Sequence, residues 1–251
     1  MCLPVRQYPV RVPALTELLP ETLSAWGNAP LWDREYVELR CIPSSHRETP
    51  SHAFQRLASF LPIFPGANVL DAGAGSGRHA VYLAARGCRV DAVDASGAAC
   101  DLLRERLAAC SELAGSVRVQ RGVLSRGDLP EDTYDVILDS YVSCHLLSDD
   151  DRLNYLHALL SRLRRRGRLY TACMGIDDAY YRSHVLDAGP GPLVTADPLN
   201  RIRKLLQPRA TFGTTLGDLA PTVVTTAASF RDAVAGRLYD RQVLGAVLHR
   251  R

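Results

Sequence analysis

The 251-residue chain is 47% hydrophobic and 23% charged, and its 30 Lys and Arg against 27 Asp and Glu leave a formal net charge of +3. Such a composition supports a packed core and excludes long disorder, and the charge is too mild to mark a nucleic-acid surface. Its 7 cysteines include no C-x-x-C pair and are odd in number, which predicts free thiols in a reducing compartment.

Residues 1–32 are interrupted by Pro4, Pro9, Pro13 and Pro20, so no apolar leader is expected there, and no later run approaches the length of a membrane span. A soluble, cytoplasmic protein is the expectation. Leu15, Leu18, Leu19 and Leu23 fall at helical spacing and predict an amphipathic piece over 14–26. A short helix is expected over 33–40, then a polar loop rich in Ser, Pro, His and Arg. Ser51 is placed to cap a helix over 52–61.

The stretch 68–97 reads as strand, glycine turn, helix, strand. Asn68 to Asp71 form an apolar run ending in an acid. Gly73, Gly75 and Gly77 then recur at every second residue before a helix that Gly87 closes, and a strand over 89–93 ends at Asp94. Such a unit is half of a doubly wound α/β domain, whose ligands bind outside the carboxyl ends of the strands. A dinucleotide site asks for G-x-G-x-x-G, but the sixth position here is Arg78, too large for close helix–strand packing. Asp71 beside the turn would repel a pyrophosphate and suits an ammonium or sulfonium.

Further on, a helix is expected over 96–113, a strand over 117–120, and a strand over 134–138 that is apolar enough to be buried on both faces. Ser148 with three aspartates opens a helix that runs to about Arg164, where basic residues meet its negative end. A strand follows over 168–173. A segment from 175 to 221 contains Tyr180, Tyr181 and His184, with a helix expected over 199–206. The stretches 222–229 and 241–249 are β-rich.

The run VLDAGAGSG followed by VDAVDAS resembles motif I and the acidic strand end of class I S-adenosylmethionine-dependent methyltransferases, and the likeness covers about 60–175. The resemblance implies one doubly wound, seven-stranded, mostly parallel sheet with an antiparallel edge strand. Residues 1–62 would be a helical lid or substrate segment, 63–175 the cofactor-binding core, and 176–251 a pocket-shaping insertion with closing strands. It also implies S-adenosylmethionine as cofactor, held by Asp71, Gly73, Gly75, Gly77, Arg78, Asp94 and Ala95, with Asp94 on the ribose hydroxyls. Family members place an acid after the third strand for the adenine amine. This chain departs from that pattern, so apolar contact and a backbone amide near Val123 or Leu124, or alternatively Asp128, would take its place.

Asp139, Ser140, Tyr141 and His145 follow the fourth strand, which the family topology sets beside the glycine turn. Asp139 and Ser140 could orient the cofactor's amine. From the lid, Tyr36, His46 and Arg47 could reach its amino-acid end or the acceptor, with Arg47 on the carboxylate. Tyr180 and Tyr181 could flank the sulfonium. Each has a structural alternative in packing, loop ordering or solvent exposure. No metal cluster is expected. Neither an amino-methylating Asn/Asp-Pro-Pro-aromatic motif nor a Pro-Cys is present, so nucleic acid is the weaker acceptor class and a small molecule the stronger. Two alternatives accompany that reading: an RNA methyltransferase, and an enzyme that closes S-adenosylmethionine on itself to azetidine-2-carboxylate and methylthioadenosine. The sequence leaves the oligomeric state open.

Overall fold

A computed structural model describes residues 28–113, 115–187 and 191–250. The amphipathic piece expected over 14–26 lies outside them. The chain begins with a short helix α1 (Ala29–Arg34), a π-helical turn at Glu35–Leu39 and a helix α2 (His52–Leu57). The core alternates β1 (Asn68–Ala72), α3 (Arg78–Ala84), β2 (Arg89–Asp94), α4 (Gly97–Ala108), β3 (Val117–Arg121), β4 (Tyr134–Ser140), α5 (Asp149–Ser161) and β5 (Leu163–Gly175). After it come α6 (Ala179–Arg182), β6 (Val185–Asp187), β7 (Leu193–Ala196), β8 (Arg203–Gln207), α7 (Arg209–Leu219) and a long hairpin of β9 (Thr222–Val234) and β10 (Arg237–His249).

All strands join one sheet of ten. β3, β2, β1, β4 and β5 lie side by side and parallel, and β10 then pairs antiparallel with β5 and β9. These are the seven strands that were expected. Three more come from the insertion: β8 meets β5 at Met174 and Gly175 and carries β7 and β6 as an antiparallel fringe. The parallel strands are sandwiched between two apolar layers, one built with Phe54, Leu57, Leu83 and Leu103, the other with Tyr155, Leu159, Phe212 and Leu216. The central strands β1 and β4 are therefore buried along nearly their whole length, while β3 at the edge alternates.

The helix expected over 199–206 is corrected to a strand. Leu199, Ile202, Leu205 and Leu206 have helical spacing, but Pro198 precedes them and Arg201 adopts φ +64°. β8 is burial-rich on both faces because it is enclosed by its neighbours, which erases the period of two. The helix α7 was not foreseen. Gly213 and Gly217 are poor helix formers, and the helix stands on the burial of Phe212, Leu216 and Leu219 at helical spacing. The arginine-rich stretch after α5 is likewise corrected: the helix ends at Ser161, and only Arg162 caps it while Arg164, Arg165 and Arg166 lie exposed in the first turns of β5.

Candidate active site

β1 delivers a fully buried run to Asp71, and the chain then turns through three left-handed glycines, Gly73 (φ +70°), Gly75 (φ +57°) and Gly77 (φ +87°). The amides of Gly73 and Ala74 both donate to the Val93 carbonyl, at 2.8 and 3.1 Å, which fastens the turn to the end of β2. A Cβ on Gly73 would strike the Val142 side chain, and one on Gly75 would lie 2.5 Å from the Tyr36 hydroxyl oxygen. Conformation and crowding both demand glycine there.

Two carboxylates stand against this turn in different states. Asp71 is 0% exposed and, among the described residues, neither of its oxygens has a hydrogen-bond partner. Burial pushes its pKa up to about 7, against the pull of the Arg78 guanidinium. Asp94, at the end of β2, accepts from the Gly75 amide and from the Ser96 amide, each at 2.8 Å. Burial raises its pKa as well, and those two amides act the other way. Arg78, on the first turn of α3, donates to the Ser44 carbonyl at 3.2 Å and holds its guanidinium 5.6 Å from the Tyr141 ring centre. An orphaned, buried carboxylate beside a cradle of bare backbone fits a ligand that brings an ammonium, and a strand-end carboxylate fits its hydroxyls. The residues present therefore fit S-adenosylmethionine.

The segment ahead of β1 closes over the turn. Asp33 accepts from the Ser96 hydroxyl at 2.6 Å and the Ala98 amide at 3.0 Å, so it caps the start of α4 from outside. Tyr36 lies on Gly75, and the Ser76 hydroxyl donates to the Ser45 carbonyl at 3.0 Å. The rings of Trp32, Tyr36 and His46 run together, with Trp32 to Tyr36 at 5.9 Å and Tyr36 to His46 at 5.8 Å between centres. Trp32 meets His145 edge-on at 5.4 Å. Glu35, fully buried, ties this segment to the insertion. It accepts from the Ile42 amide at 2.7 Å, from the Cys41 thiol at 2.9 Å and from the Asn200 side-chain amide at 3.0 Å. Sequence reasoning passed over Trp32, Asp33, Glu35 and Asn200. Its only available signal was the acid-aromatic composition of 32–36, which looks like any amphipathic helix.

At the end of β4 the four residues singled out have distinct duties. Asp139 is buried and saturated: the Ser143 hydroxyl and the Thr171 hydroxyl each donate to it at 2.6 Å, and the Ser143 amide at 2.9 Å. Its expected role on the cofactor or the acceptor is corrected to ordering the turn Ser143–His145, since no lone pair is left facing the site. Ser140 is buried at the strand end. Tyr141 takes φ +68°, a strained conformation for a bulky residue, and its amide donates to the Ala172 carbonyl at 2.9 Å. His145 leans from the next turn toward Trp32.

Several expected site residues lie elsewhere. Arg47 is drawn off to Asp232 of β9 in a 2.6 Å ion pair, so it is corrected as a carboxylate clamp. Tyr180 and Tyr181 are packed inside the insertion, 5.0 Å apart between ring centres, with the Tyr180 hydroxyl on Asp197 at 3.1 Å and the Tyr181 hydroxyl receiving Lys204 at 2.7 Å. They build the insertion's core with the buried Arg241–Asp178 pair and do not line the glycine turn, which corrects their expected place beside a sulfonium. The Val123 amide is taken by Asp128 at 2.8 Å, which corrects it as a free donor for adenine and places Asp128 as its local partner. Leu124 is buried nearby as an apolar surface. The Ala95 carbonyl accepts from Arg121 at 3.2 Å.

Residues 69–167 match the methyltransferase domain family. No curated protein matches the sequence. Among solved structures, the CcbJ methyltransferase from Streptomyces caelestis is similar with a TM-score of 0.60 at 19% identity, over 88% of this chain and 97% of that one. The glycopeptide N-methyltransferase MtfA complexed with S-adenosylmethionine gives 0.53 at 18% identity, over 83% and 96%. The 1,6-didemethyltoxoflavin-N1-methyltransferase of Burkholderia thailandensis, with its substrate and S-adenosylhomocysteine bound, gives 0.51 at 20% identity, over 90% and 81%. At such identities the structural likeness speaks for the fold.

Proposed function

We propose that this chain, whose residues 69–167 match the methyltransferase domain family, is a class I S-adenosylmethionine-dependent methyltransferase that methylates a small-molecule acceptor seated under the lid, beside Tyr141 and His145. The observation that carries the reading is the pairing of an orphaned buried acid, Asp71, with a glycine turn roofed by aromatic side chains from a separate segment. When bound, S-adenosylmethionine supplies an electrophilic methyl group on a sulfonium that needs no further activation.

The protein's share is then placement and exclusion of water. Asp71 receives the cofactor's ammonium and Arg78, whose guanidinium lies 5.6 Å from the Tyr141 ring centre, faces its carboxylate in place of Arg47. Asp94 exchanges its hold on the Gly75 amide for the ribose hydroxyls. Trp32, Tyr36 and His46 close the top, and Glu35 with Asn200 fixes how far the lid lies from the insertion. The acceptor enters between these two layers, where the rings of Trp32, Tyr36 and His46 favour a small molecule.

Self-cyclisation of the cofactor loses part of its support, because Tyr180 and Tyr181 are committed to the insertion core while Tyr36 and Tyr141 stay at the glycine turn. Incubating the protein with S-adenosylmethionine and fractionated small-molecule acceptors, with mass spectrometry of the products, tests the proposal. Methylated acceptor and S-adenosylhomocysteine are expected. Methylthioadenosine in the absence of acceptor, or methylation of added RNA only, would contradict it.

A further inference from the structure

A ligand that lies along a glycine turn uses the space a side chain would take. At Gly73 and Gly77 that space belongs to apolar side chains of the fold, Val142 and Leu103. Gly75 differs. What stands 2.5 Å from its Cβ position is the Tyr36 hydroxyl oxygen, a polar atom brought from the segment ahead of the sheet. The Gly75 amide itself donates at 2.8 Å to Asp94, the acid proposed above to hold the ribose hydroxyls. A hydroxyl of the chain's own thus rests where bare backbone meets the strand-end carboxylate.

The Tyr36 side chain is buried, and it is the movable part of a fastened segment. Asp33 accepts from the Ser96 hydroxyl at 2.6 Å and from the Ala98 amide at 3.0 Å. Glu35 accepts from the Ile42 amide at 2.7 Å and from Asn200 at 3.0 Å. The Ser45 carbonyl accepts from the Ser76 hydroxyl at 3.0 Å. Between these ties Tyr36 lies in the π-helical turn Glu35–Leu39, which Arg40 closes at φ +48°. Both are sparsely populated backbone forms, and what they place on the glycine turn is this phenol. Burial and then Asp94 push its pKa up, against Arg78 and the Ser76 amide, so it stays a neutral hydroxyl. The rings of Trp32 and His46 flank it, at 5.9 and 5.8 Å between centres.

We propose that Tyr36 is an intramolecular competitor of the cofactor: in the ligand-free chain its hydroxyl holds the ribose place on Gly75, and S-adenosylmethionine binds only as the phenol withdraws toward Trp32 and His46. This rests on S-adenosylmethionine as the ligand of the turn. The apparent affinity for the cofactor is lowered by the fraction of chains in which the phenol is seated, and association waits on its departure. Because Asp33 and Glu35 hold the backbone on either side, the withdrawn ring remains part of the roof. One side chain then covers the turn in both states, over backbone without the cofactor and over the cofactor once it is bound.

Stopped-flow fluorescence and calorimetry with S-adenosylhomocysteine test this. A Trp26→Phe background leaves Trp32, next to the Tyr36 ring, as the only tryptophan. Tyr36→Phe keeps the ring and removes the hydroxyl, and it is expected to raise the association rate constant roughly threefold or more. Tyr36→Ala is expected to raise it about tenfold or more. A residue that only roofs the bound cofactor gives the opposite pattern: association no faster than in the parent, with faster dissociation and weaker binding in both variants. That result would overturn the proposal. If Tyr36→Ala does not fold, the isosteric Tyr36→Phe decides alone. Binding by the variants with none by the parent supports the proposal in its strongest form. No binding by parent or variants would instead strike S-adenosylmethionine as the ligand of the turn, and the proposal with it.

Discussion

The Tyr36 hydroxyl oxygen stands 2.5 Å from where a side chain on Gly75 would begin. A residue from the segment ahead of the sheet thus rests on the backbone of the turn after β1, and the two are readable as one surface. The lid is held there by Asp33 on the start of α4 and by Ser45 on Ser76. Its position is defined by polar contacts to the glycine turn and to the start of α4.

Gly75→Ala is the sharpest probe of that contact. The residue has φ +57° and Tyr36 fills the space, so the variant should lose roughly 1–2 kcal/mol of stability through backbone strain alone. It should also lose S-adenosylhomocysteine affinity by tenfold or more. Thermal melts and calorimetry measure the two effects separately.

Arg47→Ala and Arg78→Ala should part company. Arg47 sits in a partly exposed ion pair with Asp232, so its loss should cost no more than about 1 kcal/mol of stability and leave cofactor affinity alone. Arg78→Ala should weaken S-adenosylhomocysteine binding by about 1.5–3 kcal/mol, the range for a charge-assisted contact. Equal effects from the two would refute the reassignment.

Asp71 makes the stability of the ligand-free protein depend on pH. Its folded pKa of about 7 lies above its ordinary value of 3.8, so the folded state prefers the protonated form. Below pH 3.8 both states are protonated and no penalty exists; the penalty grows as pH rises and is complete above pH 7. The ceiling is on the order of 4 kcal/mol. Asp71→Asn should remove this fall while weakening cofactor binding, and denaturant titrations of parent and variant at a series of pH values between those limits give the difference.

The core was legible because its signals are local. Three glycines at alternate positions are demanded by positive φ, Asp94 binds the amides of Gly75 and Ser96, and these residues appear in the sequence as such. The lid and insertion were only partly legible, since what fixes them is long-range: Glu35 to Asn200, Arg47 to Asp232, and Arg241 to Asp178 join segments far apart in the chain. Nothing in the neighbourhood of Arg47 distinguishes a cofactor clamp from a surface tether. The tyrosine pair misled for a related reason, because aromatic residues serve a core as well as a sulfonium. β8 was misread because enclosure on both faces leaves no alternation to see.

Asn200→Ala tests the clasp between lid and insertion. It strips one donor from the buried Glu35 carboxylate, which should cost about 1–3 kcal/mol. The Glu35 pKa is held below its ordinary value despite burial, by the His46 ring 3.8 Å away and by hydrogen bonds from the Cys41 thiol, Asn200 and the Ile42 amide. The stability it lends is present above the ordinary carboxylate range and lost as pH falls through the folded pKa, so the variant should be more nearly equal to the parent at low pH. Chemical denaturation at pH values on either side of that range would show it.

Calorimetry of S-adenosylhomocysteine on the parent and on Asp94→Ala addresses the central claim most directly. Asp94 is held at the end of β2 by the amides of Gly75 and Ser96, and its exchange of partners for the ribose hydroxyls should be worth roughly 1.5–3 kcal/mol. Measurable binding by the parent is expected, with a loss of about tenfold or more in the variant and the fold intact by circular dichroism. A parent that does not bind, or a variant that binds as tightly as the parent, would contradict it.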